Sequence, residues 1–333
     1  MAVRISGRGI AAASAARCLT ARGISVSVDG AGRRRSPVVM LGEQAQGLLT
    51  DVFAGHDVLA QGHRVARRVV LWGADAPQGF DHAALVITGD ALAAALPWPA
   101  APVAADDPFL LSTNAPPAAR MLHFGAREAS AVPVDLAPGA DRAAALVEAL
   151  GEGWLFLIPT GGDTGWLLSV GTPPDQGLRE SRLVAPAVGA IGQVAARFET
   201  SPRILEHPAA SDRLTLGNAA LALDPICGDG TATAVRGGIL AAAVAAGITG
   251  HDGPGADAQS LSAHYRAMLI AAMRRHLAVS WPFYARGGHS AWWQEEAAAL
   301  ADGHAWCTRQ LAEAGEARFI LSGDRLVPRD IAA

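Results

Sequence analysis

Apolar and polar positions alternate at 2–6 (AVRIS) and again at 23–29 (GISVSVD), the period of a half-buried strand. Between them an Ala-rich run from Ile10 to about Arg22 has the composition of a helix. Helical spacing returns at 41–54 (Leu41, Leu48, Leu49, Val52, Phe53), and RVARRVVLWG and HAALVITG within 64–88 read as strands. A helix is predicted at 90–96, and a Pro-rich extended connection at 97–108. A strand, a turn at 114–117 and a short helix follow. ASAVPVDL, GWLFLIPT and GWLLSVG predict three sheet strands, the last two joined by a hairpin through Gly161, Gly162, Asp163 and Thr164. The pattern then predicts a helix at 187–198, strands over 204–223, a helix at 231–247 and a long helical region beyond 258.

The first strand runs into Gly7-Arg8-Gly9-Ile10-Ala11-Ala12, a Gly-x-Gly-x-x-Ala turn that opens a helix. In a β-α-β unit such a turn binds a dinucleotide. The first glycine (Gly7) makes the bend, the second (Gly9) admits a pyrophosphate, and the small third residue (Ala12) lets helix and strand pack closely. Asp29 ends the second strand twenty residues after Gly9, where a carboxylate accepts a ribose hydroxyl. Arg34, in the basic turn that follows, either neutralises cofactor phosphates or lies on a solvated loop. A second strand–turn–helix stands at 216–242, where LGNAALALDPICGDGTATAVRGG passes through Pro225, Gly228, Asp229 and Gly230 into an Ala-rich helix. Unpaired first-turn amides and the positive end of the helix dipole make such a start receptive to anionic or electron-rich atoms. Asp224 and Cys227 share this loop; His289 and Glu295 lie in the later aromatic-rich segment.

Composition narrows the classes. Of 333 residues half are hydrophobic and 17% charged, as expected of a folded globular chain, and the net charge of −4 gives no reason to expect nucleic acid. The three cysteines, Cys18, Cys227 and Cys307, make no disulfide or zinc pattern, so no metal is expected. The N-terminus lacks the apolar core of a signal peptide, and the apolar stretch after Gly238 looks too short to span a bilayer. A cytoplasmic protein is the expectation. No lysine occurs, which removes any mechanism that needs one.

Three stretches in order then carry a resemblance: the N-terminal Gly-x-Gly-x-x-Ala, the central Gly-Trp-Leu-Phe-Leu-Ile-Pro and the late Gly-Asn-Ala-Ala with Pro-x-x-Gly-x-Gly. Together the chain resembles the FAD-dependent monooxygenases of the p-hydroxybenzoate hydroxylase type, a superfamily that includes the tryptophan halogenases and geranylgeranyl reductases. The pattern from Gly217 to WWQEE is most similar to the flavoproteins that hydroxylate peptidyl tryptophan in quinone-cofactor biogenesis. The resemblance implies an α/β fold: a Rossmann-like, glutathione-reductase-type FAD-binding domain with an inserted antiparallel-sheet substrate domain and a C-terminal helical region. The boundaries it suggests are 1–90 with 200–250 for FAD, 91–199 for the substrate-facing sheet and 251–333 for the helical region.

Carried over, Gly217 and Asn218 hold the ribityl chain of FAD, while Pro225, Gly228, Asp229 and Gly230 border its ring. The family has an acid where this chain has Asn218, so a charge-assisted contact becomes a neutral one, weaker by about 1 kcal/mol. Trp154-x-Phe156-x-Ile158-Pro159 is similar to a halogenase motif, but halogenases use a lysine that this chain lacks. An Asp-Gly motif of many NAD(P)H-using hydroxylases is not visible in 100–180. The implied activity is hydroxylation of an electron-rich aromatic, either a small molecule or a tryptophan in a peptide or protein, through a flavin C4a-hydroperoxide. The alternatives are a flavin-fold protein that has become a binding or scaffold partner, and a flavin-dependent reductase of an alkene.

Overall fold

A computed structural model describes residues 2–32, 36–73, 76–99, 108–251 and 257–329. In chain order the first elements are β1 (Val3–Arg8), α1 (Ile10–Ala21), β2 (Val26–Gly32), β3 (Val38–Gly42), α2 (Glu43–Val52), β4 (His63–Leu71), β5 (Gln78–Thr88) and α3 (Gly89–Ala95). The middle holds β6 (Phe109–Ser112), β7 (Met121–His123), β8 (Glu128–Leu136), β9 (Ala144–Ala149), β10 (Trp154–Gly161), β11 (Thr164–Val170) and α4 (Pro174–Glu180). Then come β12 (Val188–Ile191), β13 (Ala196–Glu199), β14 (Arg203–Leu205), β15 (Arg213–Thr215), β16 (Leu221–Ala222), α5 (Gly230–Ile248), α6 (Ala258–Gly287), α7 (Ala291–Ala314), β17 (Phe319–Ser322) and β18 (Arg325–Pro328).

The fold is mixed α/β. A four-stranded, wholly parallel sheet has the order β15-β6-β1-β2, with Val3 and Ile5 of β1 fully buried at its centre. A nine-stranded sheet runs β12-β8-β11-β10-β9-β4-β5-β3, with β13 also paired to β8. It is antiparallel except between β4 and β9. One face of this sheet, with Val147, Trp154, Phe156 and Ile158, shares a continuous core with β1, α1, α5 and α6. The opposite face, with Leu146, Leu155, Leu157 and Leu167, is closed by Val184 and Leu178 from the α4 segment. This alternation along β10 is the period of two that a strand buried on both faces requires.

Helix α1 is buried on nearly every side, and its run of alanines is the reason. Small side chains let α5 approach so closely that a Cβ on Gly238 would lie 2.4 Å from the Ala11 carbonyl oxygen. Helix α5 begins at Gly230, earlier than the apolar stretch alone suggests, and its 19 residues are by length and composition enough to cross a membrane. Over half of it is buried within the protein, where Leu240 through Ala246 belong to the core.

Several elements differ from expectation. Residues 38–88, expected in the cofactor-binding part, supply β3, β4 and β5 to the large sheet, whereas Phe109–Ser112 leaves the expected sheet domain to pair beside β1. The boundary at 90 therefore does not follow strand pairing. AALVEA at 144–149, to which the sequence pattern assigns no element, forms β9, because the open edges of β4 and β10 both take it as a partner. The helix predicted at 187–198 is instead β12 and β13, both paired to β8. No helix follows Pro117; β7 stands there. The run predicted as strand over 204–223 is broken at Gly217, whose φ of +64° starts a 3-10 turn. The C-terminal region is helical only to Ala314 and ends in the β17–β18 hairpin.

The α1–α5 packing predicts unequal effects at adjacent glycines. Gly238→Ala should lower the unfolding free energy by about 1–3 kcal/mol through overpacking against Ala11. Gly237→Ala, with open space at its Cβ position, should be neutral or stabilising by up to about 1 kcal/mol. Chemical denaturation of both variants measures the difference.

Candidate cofactor and substrate site

The turn between β1 and α1 depends on two glycines for different reasons. Gly7 has φ +101°, and a Cβ there would lie 1.9 Å from Thr113 Oγ1, at the end of β6. Thr113 N donates to the Ser6 carbonyl at 2.9 Å, so β6 closes over the turn from inside the protein. Gly9, the N-cap of α1 at φ +140°, has nothing within 4 Å of its Cβ position. The space beside Gly9 is open, next to a helix start whose first amides have no side-chain cap. Ala12 is fully buried, as its packing role requires.

Asp29 sits near the end of β2 and forms an ion pair with Arg4 of the neighbouring strand, with both side chains partly exposed. Arg34 lies outside the described residues. Gly217 lies on the first turn of α1, with the Ala11 Cβ 3.5 Å from its own Cβ position. Asn218 follows in the 3-10 turn and is exposed. Gly7, Gly9, Ala12, Gly217 and Asn218, more than two hundred residues apart in sequence, are thus gathered around the start of α1.

The loop into α5 is held from behind. Asp224 is buried, and its Oδ1 accepts from Ile226 N at 2.9 Å, fixing the 3-10 turn Pro225–Cys227. Gly228 then takes the left-handed conformation at φ +68°, Asp229 caps α5 and Gly230 begins it. Asp224 does not face a ligand. Its Oδ2 accepts from the Tyr284 hydroxyl at 2.6 Å and lies 3.0 Å from Nε of Arg127, a fully buried guanidinium that also pairs with Glu296. Trp154 Nε1 donates to the Tyr284 hydroxyl at 3.1 Å, and the Arg127 guanidinium lies over the Tyr284 ring. Burial works against the charge on Arg127, but Tyr284, Asp224 and Glu296 outweigh it and raise its pKa. Burial and the adjacent Asp224 push the Tyr284 phenol far up, so it stays a neutral donor.

His276 of α6 joins the same scaffold. Its Nε2 accepts from Asp224 N at 3.0 Å, which leaves the proton of the neutral ring on Nδ1, 3.6 Å from Asp229 Oδ1. Burial would raise the Asp229 pKa, but the His276 ring and nearby backbone N–H groups outweigh it and hold the carboxyl below its usual range. Burial, with Asp224 and Asp229 close by, drives the Cys227 thiol well up, so it remains a neutral packed thiol. His289 and Glu295 are both exposed near the α6–α7 turn. Arg127, Tyr284, His276 and Glu296 carried no spacing signal. Each belongs to a different local pattern, and only the tertiary fold brings them together.

Opposite this loop lies the inward face of the large sheet. Arg68 of β4 alternates onto the face shared by Val70 and Trp72, and its Nη2 is 3.7 Å from the Cβ position of Gly228. The register slip between β4 and β5 allows His82 to reach it, with Nε2 and Nη2 3.2 Å apart. The Phe156 ring of β10 lies 5.7 Å from the guanidinium.

The fold has known counterparts. The peptidyl tryptophan dihydroxylase QhpG, essential for tryptophylquinone cofactor biogenesis, aligns with a TM-score of 0.69 at 18% identity, over 98% of this chain and 86% of that one. The flavin-dependent halogenase CmlS aligns with a TM-score of 0.71 at 18% identity, over 94% and 71%. Klebsiella pneumoniae HpxO, solved with FAD and uric acid, gives 0.58 at 14% identity, over 93% and 97%. The chain has the fold of the flavin-dependent monooxygenases and halogenases. No protein-family model and no curated protein matches it.

Three variants test the geometry of the site. Gly9→Ala meets no protein atom, so it should remain folded, destabilised by about 1–3 kcal/mol of backbone strain, while its added methyl occupies the open side of the turn. Gly7→Ala should fail to fold stably, and circular dichroism melts distinguish the two. Arg127→Met, which leaves Asp224 and Glu296 buried and unpaired, should lose about 3–5 kcal/mol in chemical denaturation.

Proposed function

We propose that the chain is an FAD-dependent monooxygenase acting on an electron-rich aromatic substrate. The observation that carries this reading is the divided cradle: the glycine turn of Gly7 and Gly9, the Gly217–Asn218 turn laid on the first turn of α1, and the Pro225–Gly230 loop opening α5. The open space at Gly9 and the exposed, outward Asn218 fit a bound dinucleotide.

In this reading the parallel sheet with α1 and α5 forms the cofactor-binding part, and the inward face of the large sheet forms the substrate wall. Gly7 and Gly9 admit the pyrophosphate, and Asp29, oriented by Arg4, meets the ribose of the adenosine end. Gly217 and Asn218 hold the ribityl chain, while Pro225, Gly228, Asp229 and Gly230 border the ring and present the unpaired amides of α5 to it. Bound FAD supplies electron transfer and oxygen activation, which no side chain here provides. The chain's own contributions are to hold the loop rigid through Asp224, to keep a proton on Tyr284 and on His276 Nδ1, and to exclude water with the apolar face around Phe156 and Trp154. A tryptophan in a peptide is one aromatic of the required kind, being what QhpG dihydroxylates.

Asn218 favours one rival, a flavin fold that no longer grips its cofactor and serves as a binding partner. Purified protein with flavin absorbance, or apoprotein that takes up added FAD, supports the enzyme; a protein that stays colourless in excess FAD rejects it. Oxygen consumption by the reduced holoprotein, stimulated by an aromatic compound or a Trp-containing peptide and coupled to a product heavier by one oxygen atom, supports hydroxylation. Reduction of an added alkene with no oxygen uptake would point to a reductase instead.

A further inference from the structure

The two deeply placed guanidiniums on this side of the large sheet are treated differently by the fold. Arg127 has two carboxylates, Asp224 and Glu296. Arg68 has none within ion-pair distance among the described residues; its single hydrogen bond is to the neutral acceptor His82 Nε2. Its Nε is shut off from water and has no acceptor. Arginine stays protonated even where burial lowers its pKa, as it does here, so the fold holds an uncompensated positive charge. Such a charge is costly unless something arrives to pair with it. His82 gives no relief, since burial and Arg68 itself lower its pKa and keep the ring neutral.

The position of this charge is informative. Arg68 stands on the substrate wall, directly across from Gly228 in the loop that opens α5, and beside the Phe156 ring. A planar guanidinium with no carboxylate partner and with Nε lacking an acceptor among the described residues suits a carboxylate, which a guanidinium binds through two parallel N–H···O bonds. A neighbouring aromatic face suits a ligand that carries a ring next to that carboxylate.

We propose that Arg68 is the anion-recognition residue of the substrate site, and that the aromatic substrate carries a carboxylate. The assignment rests on the monooxygenase reading for the nature of the reaction, but the binding it describes requires no turnover. The carboxylate belongs either to a free aromatic acid or to an acidic side chain adjacent to an aromatic one in a peptide. The chemistry recognised is the same.

The test compares matched ligands by isothermal titration calorimetry, with FAD uptake measured separately by absorbance. One pair is indole-3-acetate and indole-3-acetamide; the other is the peptides Gly-Trp-Asp-Gly and Gly-Trp-Asn-Gly, each capped at both ends. In at least one pair the acid should bind about tenfold to a hundredfold tighter than the amide, the range expected for hydrogen bonds to a charged partner. The pair showing the preference identifies the source. Arg68→Met should abolish the preference without loss of thermal stability, because it removes an unpaired buried charge. Arg68→Lys, which keeps the charge and loses the fork, should retain part of the preference and serves if the Met variant does not fold. Equal binding of acid and amide in both pairs would overturn the proposal. So would a preference that survives Arg68→Met, or a loss of FAD uptake in that variant with the preference intact. A wild-type protein that discriminates acid from amide yet takes up no FAD would reject the monooxygenase reading while leaving Arg68 as an anion site.

Discussion

The buried charge cluster at Arg127 is the constraint on which the arrangement around the α5 loop depends. One guanidinium binds the loop before α5 through Asp224, helix α7 through Glu296, and helix α6 through the face of Tyr284. Tyr284 in turn reaches β10 by accepting from Trp154. An ion pair so deeply buried contributes little net stability, because desolvation offsets most of the attraction. What it supplies is a fixed geometry. Any rotation of α6 or α7 away from the sheet would leave a carboxylate or a guanidinium unpaired in an apolar interior. The loop that opens α5 is therefore located relative to the large sheet by charges that tolerate only one arrangement.

A second constraint fixes the other half of the cradle. Alanines on α1 and Gly238 on α5 bring two helix backbones into near contact, and Gly217 extends that contact to the first turn of α1. Small residues thus set the distance between the pyrophosphate turn and the late motif, while the charge cluster sets the distance between that motif and the sheet. Arg68, with His82 and Phe156 beside it, meets the late motif at Gly228.

The parts of this that were legible in the sequence are those governed by local chemistry. Gly7, Gly9 and Gly228 were marked by the turns they stand in, and each has positive φ in the structure. The hairpin through Gly161 and Gly162 was equally plain. Choices made by distant partners were not legible. AALVEA carries no strand signal of its own and becomes β9 because two strand edges flank it. RVARRVVLWG and HAALVITG alternate like any strands, and nothing in the alternation says which of two sheets they join. Asp224 could be placed only in the loop before α5, and its burial under Arg127 and Tyr284 depends on residues far away in the chain. Arg68, one of two adjacent arginines on β4, stood out from Arg67 only once the face it occupies was known.

The order of strands in the parallel sheet has a consequence for how the molecule is made. β1 leaves a ribosome before any of its partners, and its β2 neighbour soon follows, but its other neighbour is β6, and β6 in turn needs β15. Thr113 must arrive before the turn at Gly7 is closed from inside, and Gly217 before α1 is covered. Pairings this distant carry a large loop-closure cost and form slowly. During synthesis the opening β-α-β segment therefore waits with an apolar face and an unpaired edge exposed, the condition in which nascent chains depend on chaperones. The sheet that β1 helps to begin is complete only once β15 has been made, about two hundred residues later.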